Sequence, residues 1–333
     1  MIGLDIGTYS IKAVELQKKE DLILNTFKVQ ERFSEEKEPL LAALKRFFKG
    51  ANFSGKDVSI SVSGPLAIVR FVEFPRMNED ELKNAIRFEV EKYIPFSIDD
   101  AVLDYQVVIN NPQSKNISIL FAAVKNDFVK HYVDVILQCG FSVKGIDVDG
   151  IALSNAFLNF DTANKDLNLN KDKGVALLNI GDAFLNLSIV WQGIPYVVRD
   201  IKGAGSELAE EISKSLGISK QEAYQIKHNP PLDKREIVSE AIRPVLTKLF
   251  KEISLSFGYF ENQFAKEVEK IFLSGGASNF FGLKEFLSES FEMQVEIWDP
   301  LSPIKIEGDM APESLNNVKS SLAICIGLAI RDD

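Results

Sequence analysis

The chain has 333 residues, 46% of them hydrophobic, and a formal net charge of −10. That length accommodates about two domains with sizeable cores. Acidic residues are spread along it without a Lys/Arg stripe, which excludes nucleic acid as a main partner. Cys139 and Cys325 stand in apolar runs and read as buried thiols of a reducing compartment, and His131 and His228 lack zinc-ligand spacing. Met1 runs into a strand without a basic leader. The longest apolar run, Leu322 to Ile330, falls short of the roughly 20 residues of a spanning helix. The expectation is a soluble, cytoplasmic protein without direct membrane insertion.

In chain order, Ile2 to Leu16 reads as strand, turn and strand. Gly7 is expected to take positive φ at little cost, so that consecutive amides form a nest for an anion. Asp5 ends the first strand, Thr8, Tyr9 and Ser10 follow the corner, and Lys12 adds a charge suited to phosphate. Leu22 to Val29 predicts a third strand, Glu36 to Lys49 a helix, and Asp57 to Val62 a strand.

The turn at Ser63-Gly64-Pro65 opens a separate module. Its strand runs from Ala67 to Phe74, and Asn78 then caps a helix with Glu81 three residues on. Leu82, Ala85, Ile86, Val90 and Tyr93 share one face of that helix, Phe88 lies off it, and Pro95 ends it. Strands follow at 101–109 and 116–124, then a helix from Asp127 to Gln138 and a strand at 142–148. Asp149 opens the next helix, and Asp161 to Lys173 reads as a polar loop.

Ala176 to Val190 then repeats the opening hairpin. Asn179 stands where Asp5 stood and Gly181 where Gly7 stood, followed by Asp182 and Ala183, an offset of 174 residues. Such a repeat predicts duplicated lobes facing a cleft. Beyond it come a strand from Pro195 to Ile201, the turn Gly203-Ala-Gly205, and a helix from Ser206 to Leu216 stopped by Gly217. Ser219 caps a helix from Gln221 to Lys227, and Arg235 to Phe264 is one long helix containing Pro244. The strand from Ile271 enters a third glycine turn, Gly275-Gly276-Ala277-Ser278. A helix from Phe280 to Ser290 is expected to present its N-terminus to a purine or its phosphate. A strand from Met293 to Trp298, a low-information loop through Asn317 and an apolar helix from Val318 to Ile330 complete the chain.

Two glycine hairpins and a later double-glycine turn resemble the actin-like ATPase superfamily. The text Glu81-Leu-Lys-Asn-Ala-Ile-Arg-Phe-Glu-Val-Glu-Lys-Tyr-Ile-Pro-Phe96, with Ala101-Val-Leu-Asp-Tyr-Gln-Val-Val108, is similar to the PilM family of type IV pilus assembly proteins. That family is an FtsA-like branch of the superfamily. The resemblance implies an α/β actin-like ATPase fold with ribonuclease H-like duplicated lobes. It assigns 1–64 to the first lobe, completed by 150–170 and 318–333, 65–149 to an inserted 1C (SHS2-type) subdomain, and 171–317 to the second lobe.

It further implies ATP or ADP between the lobes. The nucleotide-binding positions are Asp5, Gly7, Thr8, Tyr9, Ser10, Lys12, Asn179, Gly181, Asp182, Ala183, Gly203, Glu207, Lys227, Gly275, Gly276, Ala277 and Ser278. Mg²⁺ is held by Asp5 through water. Asp149 matches the residue that orients the attacking water, or is simply a carboxylate favoured at a helix N-terminus. Relatives commonly have an aspartate at position 179 and a glutamate at position 224, where this chain has Asn179 and Tyr224. The expectation is therefore nucleotide binding with weak or absent hydrolysis.

The resemblance also implies a cytoplasmic adaptor recruited to the inner face of the cytoplasmic membrane. It would receive the N-terminal peptide of a PilN-like membrane protein at the 1C subdomain, with Phe88, Ile94 and Phe96 lining the groove, and would join other platform proteins of the type IV pilus or of a related type II secretion system. Packing of those side chains within the module is the alternative at each position. The rival functions are an active actin-like ATPase or kinase and an FtsA-like polymerising cell-division protein. The absence of a C-terminal amphipathic helix after Arg331-Asp-Asp333 speaks against the latter.

Overall fold

Ile2, Leu4 and Ile6 alternate with the buried Gly3 and Asp5, so both faces of Ile2–Ile6 (β1) are covered, as befits a central strand. In the computed structural model, which describes residues 1–32, 38–163, 169–307 and 315–331, β1 turns into Ser10–Lys18 (β2) and then Leu22–Glu31 (β3). Leu40–Phe48 (α1) crosses to Asp57–Val62 (β4), which pairs with β1 in parallel. Residues 36 and 37 of the helix expected from Glu36 lie outside the described residues, and α1 itself begins at Leu40.

The chain then leaves this sheet. Ala67–Pro75 (β5), Glu79–Val90 (α2), Ala101–Ile109 (β6) and Asn116–Lys125 (β7) build a three-stranded antiparallel sheet, β5-β7-β6, covered by α2. The expected capping box is present: Asn78 accepts from the Glu81 amide at 2.9 Å and Glu81 from the Asn78 amide at 3.2 Å. Leu82, Ile86 and Val90 are buried, whereas Tyr93, expected on their face, is 40% exposed because the helix ends at Val90, before Pro95.

Asn126–Gln138 (α3) and Ser142–Val148 (β8) return to the first sheet, where β8 pairs in parallel with β4. This strand falls within the span expected for the inserted module, but pairing places it in the six-stranded sheet, leaving β5 to β7 as the module's sheet. Asp149–Ala163 (α4) follows. It continues through Asp161, read from sequence as loop, because Phe157 and Phe160 extend its apolar face. Residues 164–168 of that expected loop lie outside the described residues.

The second half repeats the topology. Gly174–Ile180 (β9), Phe184–Trp191 (β10) and Ile194–Lys202 (β11) form a meander. Gly205–Leu216 (α5), Lys220–Ile226 (α6) and Arg235–Phe264 (α7) then lead to Val268–Ser274 (β12), parallel to β9. Leu283–Phe291 (α8) leads to Gln294–Ile297 (β13), parallel to β12. The orders β3-β2-β1-β4-β8 and β11-β10-β9-β12-β13 are thus the same arrangement twice. Lys305–Ile306 (β14) adds an edge strand beside β3, so this piece of the span expected for the second lobe pairs in the first sheet.

The apolar C-terminal stretch is a 3₁₀ turn, Lys319–Leu322, followed by Ala323–Ala329 (α9). α4 and α9 lie between the two sheets. There Phe157, Phe160, Phe272 and Trp298 interlock with ring centroids 5.3 to 6.1 Å apart, each buried ring contributing about 2–3 kcal/mol by leaving water. The two helices cross backbone to backbone: a Cβ on Gly327 would stand 1.7 Å from the Ala152 carbonyl oxygen. The module is fastened to the second lobe as well, since Phe71 of β5 packs 4.6 Å from Tyr196 of β11 and 5.5 Å from Phe264.

Candidate functional site

A cleft of about 590 Å³ opens where the β1–β2 and β9–β10 corners meet. That volume suits a small-molecule ligand. Each corner is drawn shut by its glycine amide: Gly7 donates to the Ser10 carbonyl at 3.1 Å and Gly181 to the Phe184 carbonyl at 3.0 Å. Gly7 does not take the positive φ expected of it, and Gly181 does not take positive φ either. Their necessity is steric, because a Cβ would stand 2.8 Å from Ser10 O and 2.7 Å from Phe184 O.

Thr8, Tyr9, Ser10, Asp182 and Ala183 line the mouth of the cleft. Thr8 Oγ1 donates to Asp182 Oδ2 at 3.2 Å, and the Tyr224 hydroxyl donates to Asp182 Oδ1 at 2.5 Å. The rings of Tyr9 and Tyr224 lie 4.7 Å apart. Lys227 Nζ sits 4.9 and 4.5 Å from their centroids. Burial lowers the Lys227 ammonium's pKa, opposed by the carboxylates of Asp182 and Glu31. Tyr224 is raised by burial and by its bond to Asp182.

The floor holds Asp5, paired with Lys12 at 2.5 Å. Burial would lower the Lys12 ammonium, but the Asp5 carboxylate leaves it raised. Asn179 does not mirror this ion pair. Its amide oxygen accepts from Ser274 Oγ at 3.3 Å, and its amide nitrogen donates to Asn186 Oδ1 at 2.9 Å. Asn186 in turn donates to Asp200 Oδ1 at 2.8 Å, and Asp200 Oδ2 accepts from the Gly64 amide at 2.5 Å.

Asp149, the first residue of α4, faces the same floor. Burial, reinforced by the negative charges of Asp5 and Asp200, pushes its carboxyl up to about 7, with partial relief from the hydroxyls of Ser61 and Ser63. A helix N-terminus alone would act in the opposite direction.

At the back, Gly275, Gly276 and Ala277 line the cleft, with Ala277 N bonded to the Ile180 carbonyl at 2.9 Å. Three expected residues do not reach it. Ser278 is buried and bonds Gly275 O at 2.8 Å, holding the turn from behind. Glu207 turns to Lys248 at 2.9 Å, and Gly203, at φ +88°, lies beneath the Glu207 carboxylate. α8 begins at Leu283 after the left-handed Gly282, so its N-terminus is absent from the cleft wall where the helix from Phe280 was expected to stand.

Sequence reasoning missed Ser61, Ser63, Phe128, Tyr132, Asn186, His228, Asn279, Asn317, Ser320 and Ser321, all of which line the cleft. Only the Ser63-Gly64 turn gave a local signal, and it was read as a boundary. In the inserted module, Phe88 is 70% exposed, but Ile94 is buried and Phe96 half-buried among the side chains under α2. Of the three expected groove residues, only Phe88 therefore presents a large apolar surface.

Two sheets of identical order, joined by crossing helices and meeting at paired glycine hairpins, define the actin-like ATPase fold. A family model described as type IV pilus assembly protein PilM matches residues 3–333, and the chain belongs to that family. A solved structure described as the PilM-PilN type IV pilus biogenesis complex is similar with a TM-score of 0.86 and 24% identity, covering 99% of this chain and 97% of that one. The ethanolamine utilization protein EutJ from Carboxydothermus hydrogenoformans is similar with a TM-score of 0.55 and 12% identity, covering 99% and 88%. No helix among the described residues is long and apolar enough to cross a membrane.

Proposed function

We propose that this PilM-family chain is a nucleotide-responsive adaptor of a type IV pilus assembly platform. It takes ATP or ADP between its lobes and the cytoplasmic N-terminal peptide of a PilN-like membrane protein at the inserted module, which recruits it to the inner face of the membrane. The observation that carries the nucleotide reading is the meeting of Thr8 and Asp182 across the cleft, because it brings the two glycine corners to one place beside a cleft of small-molecule size. The partner reading leans on family membership and on the likeness to the PilM-PilN structure.

Mg²⁺ fits this cleft as a nucleotide-borne ion. Among the described residues no group of three or more His, Cys, Asp or Glu side chains could hold a metal, and Mg²⁺ ordinarily keeps several waters while using one or two carboxylates plus phosphates. Asp5 would hold it through water, and the ion would neutralise phosphate charge. The charges of the lining support this reading: Asp5, Glu31, Asp149 and Asp182 oppose Lys12 and Lys227.

Slow hydrolysis is the second reading, favoured by a single feature. Asp149, poised near neutrality, suits a group that accepts a proton from water, whereas Asn179 supplies no second carboxylate. Calorimetric titration with the synthetic N-terminal segment of a PilN-like protein, with and without Mg-ATP, tests the adaptor; absence of binding in both conditions rejects it. Steady-state phosphate release tests turnover.

A further inference from the structure

We propose that Asp200 couples the cleft to the inserted module, so that nucleotide occupancy is transmitted to the partner-binding surface through β11. The inference rests on the nucleotide and adaptor readings and adds the physical route between them.

On β11, Val198 and Asp200 stand at alternate positions on one face, and Tyr196 stands at the bulge where the pairing with β10 shifts register. Each meets the module or its stem. Tyr196 packs on Phe71, Val198 joins the apolar cluster of Ala67 and Val69, and Asp200 accepts from the Gly64 amide. The contacts extend over about 13 Å of strand at 3.3 Å per residue. β5 is joined covalently to β4 of the first lobe through Ser63-Gly64-Pro65, yet it lies along a strand of the second lobe.

The other oxygen of Asp200 bonds a side chain that lines the cleft. It accepts from Asn186, whose own oxygen accepts from Asn179 in the cleft floor. These groups are buried or nearly so, and a buried polar chain with every member bonded resists partial adjustment. A ligand that changes the angle between the lobes must therefore either carry β5 with β11 or break the Gly64–Asp200 bond. Both outcomes alter the seat of the module, and the small movement at Asn179 is passed on because packed interfaces shift discretely.

Hydrogen exchange read by mass spectrometry on the full chain, with Mg-AMPPNP as the probe, tests this. In the unaltered protein the nucleotide should slow exchange around Gly7 and Gly181 and also change exchange in residues 64–75 by at least about fivefold. Asp200→Asn, which spoils one of the two bonds, and Phe71→Ala, which loosens the apolar seat, should keep the protection at both hairpins and lose the change in residues 64–75. Protected hairpins with an unchanged module in the unaltered protein overturn the coupling while sparing the nucleotide reading. An equal module response in both variants also overturns it. Unprotected hairpins remove the nucleotide reading, and the coupling with it.

Discussion

Thr8 and Asp182 occupy the same position in the two copies of the glycine hairpin, and their side chains meet across the cleft at 3.2 Å. The duplicated segments thus touch at equivalent points, and the residue that differs between them, hydroxyl against carboxylate, makes the contact a hydrogen bond. Tyr224 fastens the same carboxylate from the second lobe at 2.5 Å.

This arrangement sets a negative charge where phosphates would pass. At about 5 Å and an effective dielectric near 20, one charge acts with roughly 3 kcal/mol before screening. Water and salt at the open mouth reduce this, so Asp182→Asn should tighten binding of Mg-free ADP by about tenfold. Its effect with Mg²⁺ present should be smaller. Calorimetry in chelator and in Mg²⁺ measures both, and weaker binding in chelator would make Asp182 a supporting group instead.

Asp149 gives a pH signature. Its folded carboxyl lies near 7 against about 3.9 in an unfolded chain, so between those values the native state binds more protons. Stability from this group therefore falls as pH rises from about 4 to 7 and stays lost above that. Asp149→Asn should match the unaltered protein near pH 4 and exceed it above about pH 7 by on the order of 2 kcal/mol, discounted for water in the cleft. Thermal melts across this range check the sign.

Asn179→Asp should not create a second metal carboxylate without cost. The exchange removes the donor to Asn186 Oδ1 and adds a charge close to Asp200. A loss of about 1–3 kcal/mol in urea unfolding is expected, with no gain in phosphate release. A gain in turnover at unchanged stability would contradict the role given to the amide.

Gly327→Ala forces a methyl group into the Ala152 carbonyl. Because both partners are backbone, neither can swing aside, and overpacking of about 3 kcal/mol or more follows. The urea midpoint should fall sharply while the denaturant slope is kept.

In the module, Phe88→Ser should change stability by less than about 0.5 kcal/mol, as an exposed position does, yet weaken binding of the PilN-like peptide. Ile94→Ala, within the module's apolar interior, should cost about 2–4 kcal/mol. Paired unfolding and peptide titrations distinguish the two.

Much of this was determined by the residues read in order. The two hairpins, the capping boxes at Asn78 and Ser219, the span of α7 and the stop at Gly217 depend on neighbours a few positions away, and the unbroken apolar run from Val175 to Leu178 in β9 announces a strand buried on both faces. Only the tertiary structure decided that β8 pairs with β4 rather than with the module, since a parallel register is chosen by residues far apart in the chain. It alone decided that Asn179 bonds Asn186 instead of mirroring Asp5, that Glu207 turns away to Lys248, and that Asp149 holds its proton near neutrality. Burial and electrostatic field come from groups that meet only when the lobes close over one another, so no local stretch of sequence contains them.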